Sequence, residues 1–301
     1  MEKIRGLTRR TFLTWLLGGP LLSFLPLSEP EAMANLSPPG GEGRGGSIAE
    51  FFGGEELVYE IGFWLFNRAA LGRLSFKGTE KQGQYVAILE TETLGILGFV
   101  SRYRVDMYRS TMEEIEGGSR LRSLLFEEEV RIGNRLTRRV TRFDYPRRKW
   151  ITVKWRKDGT LQKTEEEIPY GKVYDDFLTS SYNFRYGAYG GIERGKTYRV
   201  PTFPRKGATS YEIRVAAKEE EERKRRPEKR KDQKEFFVKL LLDSEITHSK
   251  EGRIEGWLSK ELLPVEGTLK DAFLFGDVKG TLIRNNRTSS SFGARSQRPV
   301  S

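Results

Sequence analysis

The chain has no cysteine and a single histidine in 301 residues. Disulfides, thiolate nucleophiles, thiolate zinc sites and iron–sulfur clusters are therefore excluded. So is a lipid anchor on an N-terminal cysteine. A histidine-centred triad or multi-histidine metal site would have to be built around His248 alone, and "SEITHSKEG" reads as a strand running into a turn with an exposed structural histidine. No cofactor and no metal site are expected. Long apolar runs are also missing: the longest candidates after the N-terminal region, 94–100 and 236–242, are strand-sized, far short of the ~20 residues a spanning helix needs.

The N-terminal region does carry an apolar run, and its flanks read as an export signal. Arg9 and Arg10 precede residues 13–27, which are broken by Gly18, Gly19 and Pro20, and Ala32-Met33-Ala34 supplies a small-x-small cleavage pattern. The Arg9-Arg10-Thr11-Phe12-Leu13 order resembles the twin-arginine signal. An ordinary secretory signal with a chance arginine pair is the alternative. Cleavage after Ala34 would release a periplasmic protein with no transmembrane segment. Residues 35–54, rich in glycine, proline and serine, read as a linker, and 284–301 as a disordered tail. The formal net charge of +11 suits anionic partners such as lipid headgroups or acidic glycans, or serves solubility alone. Nucleic acid is not expected for an exported chain.

Between these ends apolar and polar residues alternate. In "LVYEIGFWLF", Leu57, Tyr59, Ile61, Phe63 and Leu65 share one side; in "KWITVKW", Ile151, Val153 and Trp155 alternate with Trp150, Thr152 and Lys154. A period of two marks half-buried antiparallel strands. Strands are expected at 57–66, 70–78, 85–92, 102–112, 121–130, 138–145, 149–157, 197–203, 210–217, 235–248, 253–259, 264–270 and 273–283. Short Gly-, Asn- and Pro-containing turns make neighbours pair as a meander. The charged stretch 218–235 reads as an extended hairpin tip, or as a basic binding tail. The expected fold is mainly β: one domain, 55–283, forming a large antiparallel meander curled into a partly closed barrel or roll. One short helix packs against it.

That helix is read over 175–186. Phe177, Leu178, Tyr182 and Tyr186 fall on one side, Asp175 or Asp176 can cap the start, Arg185 sits in the last turn, and Gly187 stops it. The segment "VYDDFLTSSYNFR" is similar to the Asp–x–Leu–Ser–x–x–Tyr–x–x–Arg element of the DUF3108 family of bacterial exported proteins. The matching positions are Asp176, Leu178, Tyr182 and Arg185, with Thr179 where serine is usual. "GEELVYEIGFWLFNRAALGRLSF" (54–76) resembles that family's first hairpin, and "IEGWLSKELLPVEG" (254–267) its C-terminal Trp-Leu-Ser…Leu-Pro-Val element. The resemblance spans roughly 52–283 and implies a β-rich envelope protein with no established activity; the insert 218–235 departs from it.

Three functions are compatible with these residues. A curled sheet has a concave face, and Trp64, Phe66, Phe99, Tyr182 and Trp257 are candidates to line it for an apolar or amphipathic ligand, with Phe63, Leu97, Phe273 and Phe275 nearby in type. They could equally pack on each other and on the helix. An assembly protein would use the basic surface with Trp150, Tyr186 and Tyr189 to grip an acidic glycan or partner. A polymer hydrolase would need converging carboxylates from Glu127, Glu128, Glu129, Asp144, Asp175 and Asp176. Glu127 and Glu129 share a strand face at about 7 Å, which an exposed face explains equally well. "YGAYGGIERG" (186–195) does not join a strand to a helix start, so it is not a phosphate loop.

Overall fold

The computed structural model describes residues 46–63, 66–95, 98, 101–156, 158–205, 208–225, 234–242, 247, 249–272 and 276–286. The export signal, most of the linker and of the tail, and Trp64, Leu97, Phe99, His248, Phe273 and Phe275 lie outside the described residues.

Fourteen strands form one antiparallel sheet among the described residues. They are β1 (Glu56–Phe63), β2 (Phe66–Gly78), β3 (Gln84–Thr93), β4 (Val105–Ile115), β5 (Arg120–Ile132), β6 (Arg135–Asp144), β7 (Lys149–Trp155), β8 (Leu161–Glu167), β9 (Thr197–Arg205), β10 (Ala208–Val215), β11 (Phe236–Leu241), β12 (Arg253–Leu258), β13 (Pro264–Ala272) and β14 (Gly276–Asn285). The spatial order is β8-β7-β6-β5-β4-β3-β2-β1-β14-β13-β12-β11-β10-β9. The first and last strands thus pair in the middle, Ile61 opposite Gly280. The free edges are β8 and β9, which are consecutive in the chain and do not pair with each other.

The connection between those edges carries helix α2 (Phe177–Tyr186), which lies on the concave face. The edges meet around it through side chains. Phe203 of β9 reaches Phe143 of β6 at 5.3 Å and Trp150 of β7 at 5.8 Å, and the Asp175 N–H donates to the Pro201 carbonyl at 3.1 Å. The sheet is a roll that is not closed by backbone ladder, as the alternating pattern led one to expect.

Three elements were not read as such from the sequence. β8, "LQKTEEE", is exposed at every position, so it has no buried face to impose alternation; seven residue pairs with β7 hold it, and its charges discourage another strand from adding to the edge. α1 (Ile48–Phe52) sits in the glycine-rich stretch read as a linker. Its signature is the Ser47–Glu50 capping box, and its Ile48 and Phe52 are fully buried. α3 (Lys218–Lys224) occupies the start of the charged stretch; its buried Glu221 accepts from the Phe237 N–H at 3.2 Å and from Arg194 Nε at 2.9 Å.

An antiparallel meander sorts its turns into two sets. Those after β1, β3, β5, β7, β9, β11 and β13 lie at one end, called here the hairpin end. The segments holding α1, α2 and α3 lie at the other, the helical end. Around α1 and α2 the concave face is filled: Phe52, Phe76, Phe126, Met112, Leu121, Leu178 and Tyr182 form one buried cluster.

Because Phe203 packs β9 against β6 and β7, Phe203→Ala should lower stability by about 3–5 kcal/mol in urea unfolding. A loss below about 1 kcal/mol would show that the edges do not depend on that contact.

Candidate functional site

The helical half of the concave face is built around the polar residues of α2. Asp176 is its N-cap: Oδ1 accepts from the N–H groups of Leu178 (2.9 Å) and Thr179 (3.1 Å). Its Oδ2 accepts from the hydroxyls of Ser110 on β4 (2.5 Å), Ser123 on β5 (2.7 Å) and Thr179 (3.0 Å). Burial raises the pKa of Asp176, and those hydroxyls and the Thr179 N–H act against the rise. Asp175 lies one residue outside. Its Oδ2 accepts from Arg120 (3.3 Å), Asn183 Nδ2 (3.2 Å) and the Tyr189 hydroxyl, while Oδ1 is buried without a partner. Burial pushes Asp175 up to about 6, with Arg120, Tyr189 and Asn183 opposing. Asn183 also exchanges two hydrogen bonds with the backbone of Leu121.

At the helix C-terminus Arg185 forms a forked pair with Glu55, Nη1–Oε1 at 2.8 Å and Nη2–Oε2 at 2.6 Å, and its Nε donates to the Leu262 carbonyl at 2.8 Å. Both side chains are sealed from solvent, and the guanidinium lies over the Phe52 and Tyr182 rings. Burial works against the Arg185 charge, but Glu55 outweighs it, so the group stays cationic. Burial, and next the Glu55 charge, hold the Tyr182 phenol well above its ordinary value. Asp175, Asp176 and Glu55 are all enclosed, so these carboxylates fasten the helix to the sheet.

The hairpin half of the same face is different. Cross-strand register places Ile213, Leu240, Ile254, Leu269, Val278 and Phe63 in one row across six strands. All but Ile213 are half-buried. The next row towards the helices reads Val238, Gly256, Gly267, Gly280, Ile61. Each strand glycine costs roughly 0.5–1 kcal/mol relative to alanine, so three abreast call for a reason. Gly256 has a local one: a Cβ there would meet the Glu266 carbonyl at 2.9 Å. Gly267 and Gly280 do not. A Cβ at Gly267 would meet nothing within 4 Å, and one at Gly280 would meet nothing closer than 3.9 Å. Among the described residues, the two glycines leave a bare backbone floor beside an apolar row.

The residues singled out by sequence are dispersed. Asp176, Leu178, Tyr182 and Arg185 share α2 and are all buried. Tyr182 packs edge-on against Phe52 at 4.9 Å and tilted against Phe76 at 4.8 Å between ring centroids. Trp257, one position from Gly256, points to the opposite face, against Phe237 and under Arg225. Phe66 is 46% exposed at the hairpin end. Glu127, Glu128 and Glu129 face arginines: Arg138 at 2.9 Å, Arg139 at 3.9 Å and Arg131 at 3.6 Å. Asp144 pairs with Arg147 at 3.2 Å. Trp150 is in the core, Tyr189 donates to Asp175, and Tyr186 reaches the Gly46 carbonyl at 2.8 Å. Glu55 and the glycine row were missed. Glu55 is far in sequence from its partner, and the glycines become a row only through register.

A family model described as "Protein of unknown function (DUF3108)" matches residues 58–282. No curated protein and no solved structure matches the chain.

Removing one member of the Arg185–Glu55 pair strands the other. Arg185→Met should cost about 3–5 kcal/mol in urea unfolding, and adding Glu55→Leu should restore most of it. A double variant as unstable as the single would mean that the pair is not the determinant. Asp175 is predicted to set a pH dependence. Its folded value of about 6 lies above the ~3.9 of an unfolded aspartate, so the folded state binds the extra proton between those pH values. Its stability contribution is complete at low pH and is lost as pH rises from about 4 to 6, by about 3 kcal/mol. Asp175→Asn should show a correspondingly flatter stability profile across that window, measured by urea unfolding at stepped pH; parallel profiles would refute the assignment.

Proposed function

The chain belongs to the DUF3108 family, whose description assigns no activity, and we propose that it is an exported, non-enzymatic protein of the cell envelope that holds an apolar or amphipathic ligand. The ligand lies on the hairpin half of the concave face. The observation that carries this reading is the bare floor at Gly267 and Gly280 beside half-buried Leu240, Ile254, Leu269, Val278 and Phe63. An apolar surface of this kind gains from covering, at roughly 25 cal/mol per Å² removed from water. The filled helical half supplies a wall, and among the described residues Asp175 and Asp176 are sealed while Glu127, Glu128, Glu129 and Asp144 are paired with arginines. Export is supported by the arginine pair, apolar run and Ala32-Met33-Ala34 of the N-terminal region.

Two measurements test it. Organic extraction of the protein purified from its native host, followed by mass spectrometry, should release a stoichiometric lipid-like molecule. The fluorescent apolar probe N-phenyl-1-naphthylamine should bind the wild type and bind Gly267→Trp about ten- to hundredfold more weakly, the value of one apolar side chain's contact. A Cβ at Gly267 meets nothing within 4 Å, so the substitution begins without a backbone clash and projects the indole over the floor. Equal probe affinity in a folded Gly267→Trp, together with an empty extract, would sink the proposal.

A further inference from the structure

The two ends of the roll differ in what they show to solvent. Four turns at the helical end are polar: Thr79, Glu80 and Lys81 follow β2, Glu116 follows β4, Arg147 and Arg148 follow β6, and Lys260 and Glu261 follow β12. The large apolar side chains that stand exposed collect instead at the hairpin end. Among the described residues Phe66, Tyr103, Ile132, Leu136, Leu161 and Leu241 are 37–61% exposed there; the other two, Tyr170 in the segment before α2 and Ile283 near the end of β14, lie towards the helical end. Exposed apolar residues scattered singly need no explanation, but six of eight sharing one rim do.

The rim also has a built feature. The β3–β4 connection and the β5–β6 hairpin meet where the Gly133 N–H donates to the Arg102 carbonyl at 2.9 Å. Between them lies a cleft of about 460 Å³ lined by Arg102, Tyr103, Ile132, Gly133, Asn134 and Arg135. Arg102 and Tyr103 are successive non-glycine residues in the left-handed region, at φ 55° and 50°. That conformation is disfavoured for side-chain-bearing residues and is found where a site holds it in place. Neighbouring cations are occupied: Arg104 pairs with Asp106 at 2.8 Å, Arg131 with Glu129 at 3.6 Å, and Lys270 with Asp277. Arg102 and Arg135 make no ion pair among the described residues. The cleft therefore combines two uncommitted guanidinium groups with an aromatic ring and an isoleucine.

We propose that the hairpin end docks on an anionic lipid bilayer surface, with Tyr103 and Ile132 entering the interfacial layer and Arg102 and Arg135 taking headgroup phosphates. Tyrosine favours that layer because its ring is apolar and its hydroxyl wet, and guanidinium forks match phosphate oxygens. The remaining rim residues, Phe66, Leu136, Leu161 and Leu241, add apolar contact on strands of the same sheet, so the protein lies on the membrane without spanning it. Docking by this end would turn the open half of the concave face towards the lipid. The docking surface requires no ligand on that face.

The test is co-sedimentation of the chain lacking residues 1–34 with vesicles of phosphatidylethanolamine and phosphatidylglycerol, against vesicles of phosphatidylcholine alone. The wild type should bind the anionic vesicles, release with rising salt, and bind the neutral ones far less. Arg102→Gln with Arg135→Gln should weaken anionic binding about thirtyfold, and Tyr103→Ser with Ile132→Ser should weaken it at every salt concentration. Gly267→Trp should bind vesicles like the wild type, which separates this surface from the proposed ligand floor. Binding that ignores lipid charge, arginine variants that bind unchanged, or retention on an acidic polysaccharide without vesicle binding would each overturn the proposal.

Discussion

The fold depends on how one buried carboxyl group has its oxygens satisfied by hydrogen bonds without being exposed. Asp176 starts the helix that fills the roll, and it does so inside the roll, where an unpaired charge would be untenable. Five donors converge on it, two from the helix backbone, one from Thr179 and one each from Ser110 and Ser123 on neighbouring strands. The same five bonds therefore cap the helix and peg it to the centre of β4 and β5. Arg185 repeats the device at the other end, with Glu55 supplying the counter-charge from the chain just before β1. A helix pinned at both ends by buried polar contacts has one permitted position, and the apolar side chains between the pins, Leu178 and Tyr182, are thereby set into the core.

That position matters because of the strand order. With β1 paired to β14 in the middle, the two edges are left to the connection after β8. A ladder between β8 and β9 would have closed a barrel. Instead β8 is wholly exposed and charged, and closure falls to Phe203, Phe143 and Trp150 around the helix. The helix accordingly occupies one half of the concavity and leaves the other half open. Filled and open halves are consequences of one placement, and the bare glycine floor lies on the open side.

Much of this was legible beforehand, and the failures have physical causes. The alternation in "KWITVKW" or "LVYEIGF" works because one face of each strand is buried and the other wet. β8 was invisible because both its faces are wet. α1 was overlooked because five residues between glycines carry little periodicity, although the Ser47–Glu50 spacing was there to be read. For α2, the Asp176 cap, the Gly187 stop and the family-like Asp–Leu–Tyr–Arg spacing marked the element and its limits. They did not show that Asp176 is fully enclosed, nor that Arg185 is held by a carboxylate 130 positions away.

What the sequence determined by itself is local: strand or helix, cap or stop, the absence of thiol chemistry, and membership of a family. Each of these follows from a residue and its near neighbours, through periodicity, backbone preference or missing functional groups. What only the tertiary structure decided is which distant residues share a surface. Gly267 and Gly280 make a floor because antiparallel register sets them opposite each other, and Arg102 and Arg135 line one cleft because two turns fall at the same end of a meander. Register and turn order are properties of paired strands, so no inspection of either strand alone contains them.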